Sequence, residues 1–104
     1  LFDTIQLINS IFYMIKIKFY SLLRTFIEQN EIDIIADNTS IYNVIIKIEE
    51  LTNKDLRSEL VEDHEIISGT IILVNGRNIF HLDKLNTVIK DGDNIDIFPP
   101  GGGG

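Results

Sequence analysis

The residues best suited to chemistry are the last six, Pro99-Pro100-Gly101-Gly102-Gly103-Gly104, which end a chain of 104 residues on a main-chain carboxylate. A carboxylate carried on glycines suits acyl transfer, because an arm without Cβ atoms threads a narrow channel that any side chain would block. A carboxylate is a poor acyl donor until one of its oxygens becomes a good leaving group. The sequence holds no convincing constellation of general base or nucleophile that would supply this activation from within the chain. Fully extended, the arm reaches roughly 20 Å at about 3.3 Å per residue. The two prolines at its root cannot donate to a strand ladder, and they hold the exit extended. The competing reading is a frayed terminus or an added linker, and the domain behind the arm decides between them.

The arm follows the alternating run Asn94-Ile95-Asp96-Ile97-Phe98, a strand with Ile95 and Ile97 on one face and Asp96 and Phe98 on the other. A similar run opens at Met14, where Ile15, Ile17 and Phe19 alternate with Lys16, Lys18 and Tyr20. With the isoleucines facing a core, Tyr20 and Phe98 are aromatic rings on the outward face. Phe98 is then an exposed anchor, a cap on the edge of the core, or a ring packed against the N-terminal extension.

Between these strands the pattern is mixed. Ser21 to Glu28, with Leu22, Leu23, Phe26 and Ile27, reads as a helical turn or a wide hairpin connection, and Glu31 to Ala36 as a second strand. The cluster Asp37-Asn38-Thr39-Ser40 caps a helix whose buried face is Ile41, Val44, Ile45, Ile48 and Leu51, with Glu49 and Glu50 on the solvated side. Asp55 to Val61 suggests another helical turn, and Glu62 to Glu65 an acidic surface loop. Thr70 to Val74 is a strand followed by Asn75-Gly76, a hairpin signal in which both residues take positive φ, and by a return strand over Arg77 to Phe80. A loop with Leu82 and Leu85 and a turn through Asp93 feed the terminal strand. The order β-β-α-β-β-β predicts an α+β domain with one main helix packed across a mixed sheet.

Nine Lys and Arg against sixteen Asp and Glu give a net charge of −7, which repels nucleic-acid backbones and anionic membrane surfaces. Neither is an expected partner. With no cysteine there is no disulfide framework, thiolate nucleophile or cysteine metal site, which suits a cytoplasmic protein. His64 and His81 lack metal-ligand spacing and read as surface residues, and the carboxylates as solvated faces. The division expected is an N-terminal extension over 1–13, a domain over 14–98 and a reactive tail over 99–104. Met14 is the only methionine, and the expectation is that it is the natural start, or that 1–13 is an added amphipathic helix with Phe2, Ile5, Ile8 and Phe12 at near-helical spacing.

Read together, Met14 to Tyr20, Val74-Asn75-Gly76-Arg77, Leu85 through Lys90-Asp91-Gly92-Asp93, and Phe98-Pro99-Pro100 before terminal glycines resemble the ubiquitin-like sulfur-carrier family. Within it the chain is most similar to the molybdopterin synthase small subunit and the small archaeal modifier proteins. The thiamine-pathway carrier is similar but usually shorter and without the Phe-Pro-Pro exit. The resemblance implies a β-grasp fold whose first and last strands are parallel neighbours, with Gly104 adenylated by an E1-like enzyme that uses ATP, and no cofactor bound by the carrier itself. In one branch the acyl-adenylate becomes a thiocarboxylate that gives sulfur to a pterin precursor held by the large synthase subunit. In the other it is joined to lysines of target proteins. A third option is an adaptor-like interaction domain whose glycines are never activated.

The same resemblance implies an exposed patch of Tyr20 and Phe98 at the root of the arm, flanked by Lys18 beside Asp96, as the docking face. Arg24 matches a family arginine that pairs with a partner carboxylate, though a solvated arginine fits equally well. Asn78 stands where the family often has an apolar residue, and Gly101 and Gly102 where it commonly has β-branched or small residues. The last departure raises the entropy cost of docking the arm.

Overall fold

The computed structural model describes residues 14–101. The expected extension at 1–13 and the glycines Gly102, Gly103 and Gly104 lie outside the described residues.

The alternating segments form strands with the expected inward sets. β1 (Met14–Phe19) buries Ile15, Ile17 and Phe19, β2 (Glu31–Ile35) buries Ile32 and Ile34, and β9 (Asn94–Phe98) buries Ile95 and Ile97. β6 (Ile71–Val74) adds Ile72 and Val74. With β7 (Arg77–Asn78) they build a five-stranded sheet in the order β2-β1-β9-β6-β7. β1 and β9 are parallel neighbours, Lys16 opposite Asn94 and Phe19 opposite Ile97, while β1–β2, β6–β9 and β6–β7 are antiparallel.

α2 (Ile41–Thr52) supplies the second layer. Ser40 starts it by accepting the Asn43 N–H at 3.1 Å on its hydroxyl, and Asn53 ends it in a left-handed conformation, φ 58°, with its N–H on the Glu49 carbonyl. Its buried stripe of Ile41, Val44, Ile45 and Ile48 joins the sheet's inward residues in one core, each full burial contributing about 1.5–3 kcal/mol. A mixed sheet with one main helix across it is the β-grasp arrangement.

Several local expectations need correction. Leu51 is 58% exposed, because the stripe continues from Ile48 by four residues to Thr52, whose hydroxyl donates to the Ile48 carbonyl at 2.7 Å. Glu49 is not on a solvated face. Its side chain is only 12% exposed, and it accepts the Arg57 Nε at 2.9 Å and the Arg57 backbone N–H at 2.8 Å, across the turn into α3 (Leu56–Leu60).

The segment after β1 is a helix, α1 (Leu22–Ile27), with Leu23 and Ile27 buried four residues apart. The acidic stretch is the turn of a small hairpin, β4 (Val61–Glu62) with β5 (Glu65–Ile66), in which Asp63 and His64 take φ 51° and 66°. The return strand after Asn75-Gly76 is only two residues long. Asn78 Oδ1 accepts the Phe80 N–H at 2.9 Å and diverts the chain into a 3-10 turn, Ile79–His81. β3 (Thr39–Ser40) pairs with β8 (Val88–Ile89), two residues read from sequence only as part of a turn.

Candidate functional site

Because β1 and β9 are parallel, both end at the edge of the sheet from which the arm departs. Their outward positions bring Tyr20 beside Phe98, and the rings stack with centroids 4.2 Å apart and planes 14° from parallel. Alternation puts Phe98 on the face opposite Ile97 and Pro99, both buried, so the ring belongs to the outer surface and not to the core edge. Stacking leaves both rings half-buried. The pair contributes about 0.5–1.5 kcal/mol beyond its buried area.

Lys18 and Asp96 are opposite one another, as the register requires. Asp96 is nonetheless engaged by a different group, since its Oδ1 accepts the Tyr20 hydroxyl at 2.8 Å. That hydrogen bond first, then burial and the nearby negative charge, raises the Tyr20 pKa above its ordinary value of 10.0. Tyr20 is therefore a neutral donor with its ring held against Phe98. Lys18 is exposed, and among the described residues it makes no ion pair.

Two residues that the sequence reading missed extend the patch. Ile71, opposite Phe98, is 41% exposed, and Leu73, opposite Asp96, is half-buried. They place aliphatic side chains on the third strand of the same outer face. The signal was present, because Ile71-Ile72-Leu73-Val74 is apolar on both faces, whereas a strand with one solvated face alternates. The result is an apolar surface across β1, β9 and β6 built from Tyr20, Phe98, Ile71 and Leu73. Exposed apolar patches of this kind mark interaction surfaces.

The remaining sequence-derived residues are placed less centrally. Asn78 is opposite Leu73 at the rim, half-buried, with its side-chain oxygen committed to the 3-10 turn. Arg24 is exposed on α1, which leaves β1 at the end where the arm also leaves β9, and among the described residues no hydrogen bond or ion pair joins its side chain to the patch. His64 and His81 are exposed. Among the described residues no group of three or more His, Asp or Glu is arranged to hold a metal ion, and no helix is long and apolar enough to cross a membrane.

The root of the arm differs from the expected bare, extended exit. Pro99 is buried, continuing the inward series of Ile95 and Ile97. The ladder with β6 stops there for two reasons: proline has no N–H, and the Thr70 N–H bends back to the Ile67 carbonyl at 3.0 Å. Pro100 and Gly101 then form a turn with Gly101 at φ 68°, the conformation that glycine permits and that type II turns use after proline. The root of the arm is therefore buried at Pro99 and turned at Pro100–Gly101, not bare and extended.

Comparison with known proteins agrees with this architecture. A model of the ThiS family matches residues 17–104, from within β1 through the arm. The chain is 30% identical over 90 residues to small archaeal modifier protein 3 of Haloferax volcanii, covering 86% of this chain and 98% of that protein. It is 33% identical over 78 residues to a putative sulfur carrier protein of Archaeoglobus fulgidus, covering 75% of this chain and 89% of that one. The solution structure of small archaeal modifier protein 1 from Methanosarcina acetivorans superposes with a TM-score of 0.69 at 27% identity, covering 88% of this chain and 96% of that one. The parallel β1–β9 pair, the outward aromatic stack and the terminal glycines thus sit in a chain that belongs to the ThiS family of small ubiquitin-like proteins, among relatives named as carriers and modifiers.

Proposed function

We propose that the protein is a sulfur carrier working through the Gly104 carboxylate, as the small subunit of a molybdopterin synthase serving a molybdenum or tungsten cofactor. The observation that carries this reading is the stacked Tyr20–Phe98 pair at the root of a glycine arm that continues the central strand β9. A docking face and a threading arm emerge together, as an acyl carrier needs.

In this scheme the outer face, with Tyr20, Phe98, Ile71 and Leu73 at its centre and Lys18, Asn78 and Arg24 around it, docks on an E1-like adenylating enzyme. That enzyme holds the ATP, and this chain holds no cofactor. A Gly104 carboxylate oxygen attacks the α-phosphorus of ATP and expels pyrophosphate. Hydrosulfide then attacks the acyl carbon and expels AMP, leaving a thiocarboxylate. Used again, the face presents the charged arm to the large synthase subunit, where the terminal sulfur passes to the pterin precursor. Glycines along the arm fit a narrow partner channel.

A second reading is supported by the similarity to small archaeal modifier protein 3 over nearly its whole length. Activation is the same, but a target lysine amine attacks the acyl carbon and forms an isopeptide bond. Both readings require the terminal glycines. Deleting Gly103-Gly104 is expected to abolish charging by the activating enzyme while thermal unfolding stays unchanged; a truncated chain that is still charged would remove both. Sulfur transfer to a pterin precursor with the large subunit present separates the first reading from the second, which instead predicts isopeptide links from Gly104 to cellular lysines, left by trypsin as the 91–104 segment because Lys90 is the last basic residue.

A further inference from the structure

The turn before β6 lies beside the root of the arm, so that a side chain on Gly69 would reach it. A Cβ placed on Gly69 would lie 3.5 Å from the Gly101 nitrogen, 3.6 Å from Pro100 Cα and 3.7 Å from Pro100 Cβ. Gly69 itself has φ +93°, a conformation that L side chains rarely adopt. Its neighbour Thr70 is 3% exposed and Pro99 is buried, and the two lie one residue beyond the last ladder pair, Ile71 with Phe98. Both prolines have fixed φ, and the chain turns at Pro100–Gly101 directly beside the Gly69 turn.

We propose that the Ile67–Thr70 turn is a seat that sets the direction in which the reactive arm leaves the sheet, and that Gly69 is a positioning residue for transfer at Gly104. The inference rests on the reading under Proposed function and adds a residue outside the docking face. A seated root fixes the direction of the arm before a partner is met. Unseating it adds residues to those ordered when the arm enters a partner, and each further backbone residue to be ordered costs roughly tenfold in rate. A partner bound through the outer face would still bind with the same affinity. The loss therefore falls on kcat and not on KM.

A matched glycine isolates the effect from backbone strain. Gly92 has φ +86°, nothing within 4 Å of a Cβ, and a place in the turn at the opposite end of the sheet, where its N–H bonds the Met14 carbonyl. Asn tolerates positive φ better than most side chains, so Gly69→Asn and Gly92→Asn carry similar strain, and only the former puts a side chain against Pro100. The experiment measures ATP–pyrophosphate exchange by the source organism's adenylating enzyme with wild type and both variants, and amide nitrogen relaxation at Gly101. The expected result for Gly69→Asn is a kcat about tenfold below that of Gly92→Asn, at unchanged KM, with a more mobile Gly101. Equal kcat in the two variants, or a Gly101 equally ordered in both, would overturn the proposal while leaving the proposed function intact. Failure of the wild type to be charged would instead count against the proposed function, and would remove any role of Gly69 in transfer with it.

Discussion

The two ends of the β1–β9 pair are built from different materials. At the end where these strands begin, polar groups tie loops together. Asp91 accepts the Met14 N–H at 3.0 Å, Asp37 accepts the Asp91 N–H at 2.7 Å, and Asp93 accepts both the Lys90 N–H at 2.8 Å and the Asn75 side-chain amide at 2.9 Å. Asn75 in turn accepts the Asn94 N–H at 2.9 Å. At the end where the strands finish, one tyrosine–aspartate bond sits among Phe98, Ile71 and Leu73, and the surface is apolar. Hydrogen bonds that are satisfied within the chain leave little to offer a partner. Half-exposed apolar side chains, in contrast, gain by being covered. Under the proposed function, one end holds the fold and the other meets a partner.

Substitution at each end tests that division. Phe98→Asp is expected to have the largest effect, lowering affinity for the activating enzyme by about 2 kcal/mol or more, roughly thirtyfold. Stability should fall by only about 1 kcal/mol, the worth of a stacked pair. Titration calorimetry and thermal unfolding read the two quantities separately, and a collapse in stability with affinity preserved would make Phe98 structural. Asp93→Ala should do the reverse, costing about 2 kcal/mol through two lost hydrogen bonds, with charging by the activating enzyme unchanged. Impaired charging in a folded Asp93→Ala protein would show that the ends are not independent.

A smaller change sharpens the docking end. Tyr20→Phe keeps the ring over Phe98 and removes the bond to Asp96, at a cost of about 1 kcal/mol. Docking should persist if the apolar face is what the partner reads. A large loss of docking would instead point to the polar edge of the patch.

The smallest effect lies outside both ends, between α2 and α3. Burial pushes the Glu49 carboxyl up, but the hydrogen bonds and charge of Arg57 outweigh it and hold the pKa below the ordinary value of 4.5. The pair's contribution to stability is therefore complete above pH 4.5 and is lost as pH falls through the lower, folded value. Glu49→Gln should flatten stability in that acidic window, as seen in unfolding midpoints against pH, without changing charging at neutral pH.

The contrast between the two ends also marks how far the sequence could be read. Period-two alternation in Met14 to Tyr20 and in Asn94 to Phe98 fixes both faces of those strands, so the aromatic pair was legible before any coordinates. Ile71 and Leu73 were hidden because a run that is apolar on both faces carries no alternation to say which side is outside. The Glu49–Arg57 bond joins residues eight apart across a break between helices, beyond the reach of helical periodicity. The seat at Gly69 was least legible of all. A glycine in a loop announces only a turn, and its contact with Pro100 exists only once antiparallel β6 and β9 bring residues about thirty positions apart into register.

The most direct test of the central claim is intact and C-terminal-peptide mass spectrometry of the purified chain after incubation with the adenylating enzyme, ATP and a sulfur donor, followed by alkylation. The account predicts replacement of one oxygen by sulfur at Gly104, alkylated at that position and absent when ATP is withheld. An unmodified terminus, with the enzyme shown to be active on another carrier, would contradict it.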